Sequence, residues 1–460
     1  MSTHTVDNPY TGEVGATVNV SDAGAIDKTL DRARTAAKAL KRLSVEERVA
    51  LSDRALTKFE ARAEEIAQDI TRQMGKPLGQ ARGEVKGMAG RWRHMQSIAK
   101  ESLADIAVPK DGFDRRIRKE PLGVVLDLPA WNYPLLTAVN AIVPAVLAGN
   151  AVVVKHSPRT PLCAEHFARA FAEASAPEGT VQAIFVDYET TERIVSDPRI
   201  DSVLFTGSVL GGHRIQAAAK DRFTHVGLEL GGNDPAYVAA DCDLGNTVDN
   251  VVDGAIYNAG QSCCAVERVY VHRSVYEPFL AKAEALVRAY VMGDPDDDKT
   301  SLGPIAQPWH PKELTAFVED ATQKGGKLVV GGKATSVDGK GRFFEATLLR
   351  DVPQTALLLQ KESFGPILAV SPVDSDEEAL AKMNDSRLGL TASVWTSDRE
   401  RAERFARDLE FGTVYMNRCD ALDPALPWVG VKDSGRGVTL SALGFDALTR
   451  PKAIHFRLSF

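Results

Sequence analysis

Residues 123–155 read G-V-V-L-D-L-P-A-W-N-Y-P-L-L-T-A-V-N-A-I-V-P-A-V-L-A-G-N-A-V-V-V-K, and their alternation decides the fold. Gly123 to Leu128 is a short β-rich run, Leu135 to Leu147 an apolar helical stretch, and Ala151 to Lys155 a second β-rich run. Asn140, Pro144, Gly149 and Asn150 interrupt the apolar span from Tyr133 to Val154, so it reads as a buried helix, a turn and a buried strand rather than a membrane crossing. Working outward, Cys163 to Ala174 reads as a helix, Val181 to Val186 and Ser202 to Thr206 as strands, the residues after Gly212 as a helix, and His225 to Leu230 as a strand. Short β-rich runs separated by amphipathic helices predict an α/β fold with a doubly wound parallel sheet. From Ala236 to Asn417 the pattern repeats less regularly, with Val266 to Val271, Lys327 to Val330 and Thr413 to Met416 as strands of a second doubly wound α/β domain.

On the N-terminal side, Leu56, Phe59, Ala63, Ile66 and Ile70 recur at helical spacing until Gly75 and Pro77 supply a stop, which predicts one long amphipathic helix. Lys110-Asp111-Gly112 is a turn signal inside the charged segment Leu103 to Pro121 and predicts a projecting hairpin; Ala453 to Leu458 reads as a strand that pairs outside its own domain. The chain has 460 residues, 44% hydrophobic and 25% charged, with a formal net charge of −7. That length accommodates about two to four domains. With no block of like charge, a small-molecule ligand is favoured over nucleic acid. Five cysteines (Cys163, Cys242, Cys263, Cys264, Cys419), odd in number and without C-x-x-C spacing, fit a reducing compartment with neither a disulfide framework nor a zinc site. The opening M-S-T-H-T-V-D-N-P has no basic or apolar signal region, so the expected location is the cytoplasm.

Phe205 to Gly212, F-T-G-S-V-L-G-G, puts glycines at a strand-to-helix junction, where backbone N–H groups and a helix dipole can meet a phosphate; a plain tight turn is the alternative. Cys263 follows the small polar loop Asn258 to Ser262, and its thiol is a nucleophile if nearby dipoles lower its pKa. The alternative is a buried small hydrophobe, which is also the reading for Cys264. Glu229 in G-L-E-L-G-G suits a general base, because apolar surroundings raise a carboxyl's pKa, unless it faces solvent at a strand end. Asn132 in P-A-W-N-Y-P offers its amide to an oxyanion or caps the next helix. Lys155 reaches a ribose or phosphate, or snorkels to water. Glu362 in E-S-F-G-P carries no reading by itself.

In succession, W-N-Y-P, V-V-V-K, F-T-G-S, L-E-L-G-G, G-Q-S-C and E-S-F-G-P make the chain resemble the aldehyde dehydrogenase superfamily from Asn8 to Phe456. The resemblance implies a Rossmann-like NAD(P)-binding domain (1–102 and 122–233), a catalytic domain (234–448) and a small β oligomerisation element (103–121 and 449–460) serving a homodimer or homotetramer. It implies oxidation of a small-molecule aldehyde to the carboxylic acid through a cysteine thiohemiacetal and thioester, with NAD or NADP and no metal, nucleic acid or membrane. By position, Cys263 matches the nucleophile, Glu229 the general base and Asn132 the oxyanion-hole amide. Cofactor contacts fall to Trp131, Lys155, Ser157, Pro158, Gly207, Ser208, Gly212, Leu230, Glu362 and Phe364, with Lys155 at the adenosine ribose and Glu362 at the nicotinamide ribose. Transfer of the acyl group to coenzyme A is an alternative, although acyl-transferring relatives tend to lack the carboxylate at Glu229. A binding protein without turnover is another.

Two positions depart from the family pattern. Where many NAD-using members carry a glutamate against the adenosine ribose, this chain has Pro158, followed by Arg159; with that repulsion removed and Lys155, with Arg159 as a second candidate, remaining as cations, NADP should be accepted. Where members that oxidise succinic semialdehyde usually carry an arginine, this chain has Asn140. The matching tunnel positions Tyr133, Thr137, Asn140, Tyr257 and Trp428 form a mostly apolar channel, which favours uncharged aldehydes; a semialdehyde remains the alternative, with Arg418 as the one candidate cation.

Overall fold

The computed structural model describes residues 2–458. Val124–Leu128 is buried at every position and pairs in parallel with Ala151–Val154 on one side and Ser202–Thr206 on the other. Val181–Ala183 and His225–Glu229 extend this sheet in parallel, and Gly435–Arg436 closes one edge antiparallel, opposite Leu228 and Glu229. Near-continuous apolar runs are what such strands need, because helices cover both faces. The helix Pro134–Ala148 begins with proline in its first turn and stops at Gly149, whose left-handed φ of 99° ends it without a Cβ clash.

A second, seven-stranded sheet runs in the order Lys327–Val330, Thr347–Arg350, Ile367–Val373, Val266–His272, Asp234–Val238, Thr391–Trp395, Thr413–Met416, parallel except for the first pair. The hairpin Ile106–Ala107 with Phe113–Pro121 forms a third sheet with Thr449–Arg457, so the C-terminal strand does pair with the projecting hairpin. Trp428, Leu440, Phe445 and Leu448, from the segment read as the end of the catalytic domain, pack into the core of the first sheet. Among the described residues no helix is long and apolar enough to cross a membrane.

Three local readings need correction. The helix expected through Leu56 to Ile70 is two helices, Val45–Glu60 and Ala63–Met74, separated at Arg62. Phe59, Ile66 and Ile70 are all fully buried against one core, so the apolar spacing continues across the break. The strand expected to reach Val186 ends at Ala183, because Phe185 turns to bond Ser21 with its backbone. The helix expected after Gly212 starts at Val209, where Ser208 caps it by accepting from the Gly211 N–H at 3.1 Å.

The N-terminal strand Thr3–Asp7 ends on a carboxylate shared by two guanidiniums, Arg159 and Arg342. Burial works to raise the Asp7 carboxyl, but the hydrogen bonds from Arg342 and Arg159 prevail and bring it down to about 2. A folded-state value below the unfolded one means the contribution is present above about pH 4 and is lost as the pH falls toward about 2. Asp7→Asn should therefore lower the urea midpoint at about pH 6 and differ only about half as much from wild type at about pH 3. An unchanged difference at both pH values would show that Asp7 is not held as a carboxylate.

Candidate active site

The sequence residues singled out above come together where the parallel strands of the first sheet end, the usual place for ligands in open α/β sheets. Asn132 follows Val124–Leu128, Lys155 follows Ala151–Val154, Gly207 follows Ser202–Thr206, and Glu229 closes His225–Glu229.

Cys263 sits beyond three successive left-handed residues, Asn258, Ala259 and Gly260, with φ values of 56°, 55° and 67°. A Cβ at Gly260 would lie 2.0 Å from the Gly365 carbonyl oxygen, and one at Gly232 would lie 2.2 Å from that of Cys263, so both positions require glycine. The Gln261 amide donates to the Asn258 carbonyl at 3.0 Å, and its oxygen accepts from the Ala306 N–H at 2.9 Å. Cys263 is partly exposed, whereas Cys264 is buried and donates to the Asp420 carboxyl at 2.9 Å. Contact with Cys263, then burial, pushes the Cys264 thiol well above its ordinary value. Asp420, pushed up to about 7 by burial, also accepts from the Ser262 hydroxyl at 3.1 Å. Among the described residues the Cys263 backbone N–H has no protein acceptor.

Glu229 does not face open solvent: its two oxygens accept from the hydroxyls of Thr439 and Thr206. Burial raises its pKa, against those hydrogen bonds and the charge of Arg91. It shares a small cavity with Asp127, Thr137 and Asn140.

Asn132 is buried, and no side chain within its own loop caps the helix that follows. That capping comes from elsewhere. Glu84 on the helix Leu78–Ser102 accepts from the Leu135 and Leu136 N–H groups at 2.9 and 3.4 Å, and its other oxygen is ion-paired with the fully buried Lys76. Lys76 donates to the Asn132 carbonyl at 2.9 Å and lies 3.9 Å from the Tyr133 ring centroid. The Asn258 amide donates to the same carbonyl at 3.1 Å and to the Gln261 carbonyl at 3.0 Å, tying the asparagine to the cysteine loop. The Asn132 side-chain amide itself has no protein partner among the described residues.

The residues expected to contact a coenzyme sit on the segments that follow the strands of the first sheet and on the loop that precedes Ile367–Val373. Lys155 is buried, does not snorkel, and has no protein acceptor among the described residues; its Nζ stands 5.2 Å from the centroid of the Tyr188 ring. A Cβ at Gly212 would lie 2.8 Å from the Leu230 side chain, so glycine lets the helix Val209–Ala218 approach that strand end. Trp131 and Phe364 meet edge to face at 5.5 Å. Glu362, raised well above the usual carboxyl range by burial, accepts from the Gly232 N–H at 3.0 Å. Its loop is held by Glu267, which accepts from the Ser363 and Phe364 N–H groups. Ser157 donates its N–H to the Pro129 carbonyl, and the Pro158 carbonyl meets His4 at 2.8 Å. Arg159 is a correction: its guanidinium is engaged by Asp7 and does not stand beside Lys155 as a free cation.

Of the residues expected to line a tunnel, Trp428 is buried, and the Thr137 hydroxyl donates to the Ala130 and Tyr133 carbonyls. Tyr133 and Tyr257 are partly buried, and Arg418 is exposed, with no ion-pair partner among the described residues. Asn140 is buried, with its carbonyl oxygen accepting from Arg91 at 3.1 Å. Sequence reasoning missed Lys76, Glu84, Arg91 and Glu267. The only signal for them was charge inside otherwise apolar helical or strand spacing, at Glu84 and Glu267.

The fold, two mainly parallel α/β sheets with a small third sheet, is that of an α/β oxidoreductase. The profile of the aldehyde dehydrogenase family matches residues 2–454, and the chain belongs to that family. It is similar to an aldehyde dehydrogenase of Paenarthrobacter nicotinovorans, 36% identical over 99% of both chains. It is also similar to the succinate-semialdehyde dehydrogenase [NADP(+)] of Mycobacterium avium, 34% identical over 97% of this chain and 95% of the other. The solved structure of an NAD-dependent aldehyde dehydrogenase from Sinorhizobium meliloti superposes with a TM-score of 0.96 at 30% identity, covering 100% of this chain and 92% of that one.

Breaking a buried ion pair from one side leaves an uncompensated charge, at a cost of about 3–5 kcal/mol. Lys76→Met should lose that much in urea unfolding, and Lys76→Met with Glu84→Leu should recover part of it. A loss below about 1 kcal/mol in the single variant would mean that the pair is not sealed from water.

Proposed function

We propose that the protein oxidises an aldehyde to the free carboxylic acid with NAD or NADP, through a thioester on Cys263. One observation carries this reading: the partly exposed Cys263 thiol follows a loop that the Asn258 amide ties to the Asn132 carbonyl, and among the described residues neither the Cys263 backbone N–H nor the Asn132 side-chain amide has a protein partner. Cys263 Sγ adds to the aldehyde carbon, and the oxyanion is received by those two donors. The residues fit the coenzyme, because Lys155 is a buried cation without a protein acceptor among the described residues, and Ser208 sets a helix N-terminus at the end of another strand of the same sheet. When bound, the nicotinamide supplies a hydride acceptor, with Lys155, Gly207, Ser208, Gly212, Leu230, Ser157, Pro158, Glu362, Trp131 and Phe364 as its holding residues. Glu229, with its raised pKa, then takes the proton of the water that hydrolyses the thioester.

This reading assigns 1–102 and 122–233 to coenzyme binding, 234–448 to catalysis, and 103–121 with 449–460 to a homodimer or homotetramer contact. The outer strand Thr449–Arg457, with Phe456 57% exposed, supports that last assignment as a free sheet edge. The five free cysteines support a cytoplasmic site of action. Glu229 favours hydrolysis over transfer to coenzyme A.

Cys263→Ala should abolish turnover while Cys264→Ala retains it. Glu229→Gln should release about one reduced nicotinamide per subunit in a burst and then stall, because only deacylation needs the base. Full steady-state turnover by Glu229→Gln would remove Glu229 from the mechanism.

Coenzyme binding should depend on the charge of Lys155. Burial lowers its pKa to about 8, with Asp187 opposing. The charge is present below that value and fades above it, so KM for NADP should rise from about pH 7 to about pH 9, and Lys155→Met should show a high KM with no such rise. A flat wild-type profile would exclude Lys155 as the coenzyme cation.

A further inference from the structure

The helix Leu78–Ser102 carries a cation into the substrate region that the position of Asn140 alone would leave without one. The Arg91 guanidinium donates through one nitrogen to the Leu136 carbonyl and to the Asn140 side-chain oxygen, both at 3.1 Å. Both acceptors are neutral, and among the described residues Arg91 has no ion-pair partner; its remaining N–H groups have no protein acceptor. Burial lowers its pKa, and the charges of Glu229, Cys264, Glu84 and Cys263 oppose that shift. Asn140 lines the same cavity as Glu229 and Thr137. Pro134 to Asn140 spans about 9 Å of helix, so the guanidinium stands roughly two turns beyond the loop that holds Asn132.

We propose that Arg91, oriented by Asn140, receives a carboxylate on the substrate, and that the enzyme acts on short aldehydes bearing a terminal carboxylate. The guanidinium is only partly buried, its hydrogen-bond partners are neutral, and its remaining donors are open to a substrate carboxylate, which can take them in a bidentate, charge-assisted pair. The aromatic walls Tyr133, Tyr257 and Trp428 then surround the methylene chain while the two ends are fixed by charge and by Cys263. Arg418, exposed at the surface, is not required. The proposal rests on Cys263 as the attacking group.

The test compares succinic semialdehyde with butanal, which has the same carbon count without the carboxylate, in wild type, Arg91→Gln and Arg91→Lys. Wild type should favour the semialdehyde by more than about tenfold in kcat/KM. In Arg91→Gln that ratio should collapse by about a hundredfold, mainly through KM of the semialdehyde, and Arg91→Lys should restore part of it. Equal or better use of butanal by wild type overturns the proposal without the fold of any variant entering the result. So does a ratio that survives Arg91→Gln. Oxidation of neither aldehyde by wild type overturns the Cys263 reading, and the proposal with it.

Discussion

The Lys76–Glu84 ion pair fixes where the site begins. Its members sit eight residues apart, around the start of one helix, yet both act on a loop about fifty residues away. Glu84 supplies the acceptor that the helix Pro134–Ala148 lacks at its own N-terminus, and Lys76 pins the carbonyl of Asn132. A buried pair of this kind adds little net stability compared with apolar residues of the same volume, because dehydrating both charges offsets their attraction. Its value is positional. It determines where the Asn132 amide stands, and through Asn258 the same carbonyl is tied to the cysteine loop.

Close backbone approach does for the nucleophile what the ion pair does for the asparagine. Gly232 lets the end of the strand at Glu229 come against the Cys263 carbonyl, and Gly260 lets the cysteine loop come against Gly365. Glu267 gathers the N–H groups of the loop that carries Glu362 and Phe364, and Asn233 donates to that same carboxylate at 2.8 Å. The second sheet thus holds the residues read as the coenzyme's ribose contact and ring wall against the first. Rigid elements and satisfied polar groups set the distances, which is the requirement for a preorganised site.

Much of the first sheet was legible because its strands are buried on both faces and read as apolar runs, with Gly and Pro marking each junction. Ser202–Thr206 and Thr413–Met416 have the limits their residues suggest. The break at Arg62 was invisible because the two helices flanking it bury one continuous apolar stripe. The motif residues Cys263, Glu229 and Asn132 were legible from order and context. Their supports were not: the partners of Arg91 lie 45 and 49 residues away, and Arg159 is captured by Asp7 across 152 residues. No local spacing rule reports such pairings, so the Arg91–Asn140 contact went unseen, and Arg159, expected beside Lys155, is held by Asp7 instead.

The central claim is that this scaffold presents Cys263, and not its neighbour, to the aldehyde. Acid quenching during turnover with aldehyde and coenzyme, followed by fragment-ion mapping of the peptide that spans both cysteines, tests it directly. An acyl mass localised to Cys263, with Cys264 unmodified, is the predicted result. Acyl mass on Cys264, or none on either residue under turnover conditions where Glu229→Gln stalls, would contradict the account.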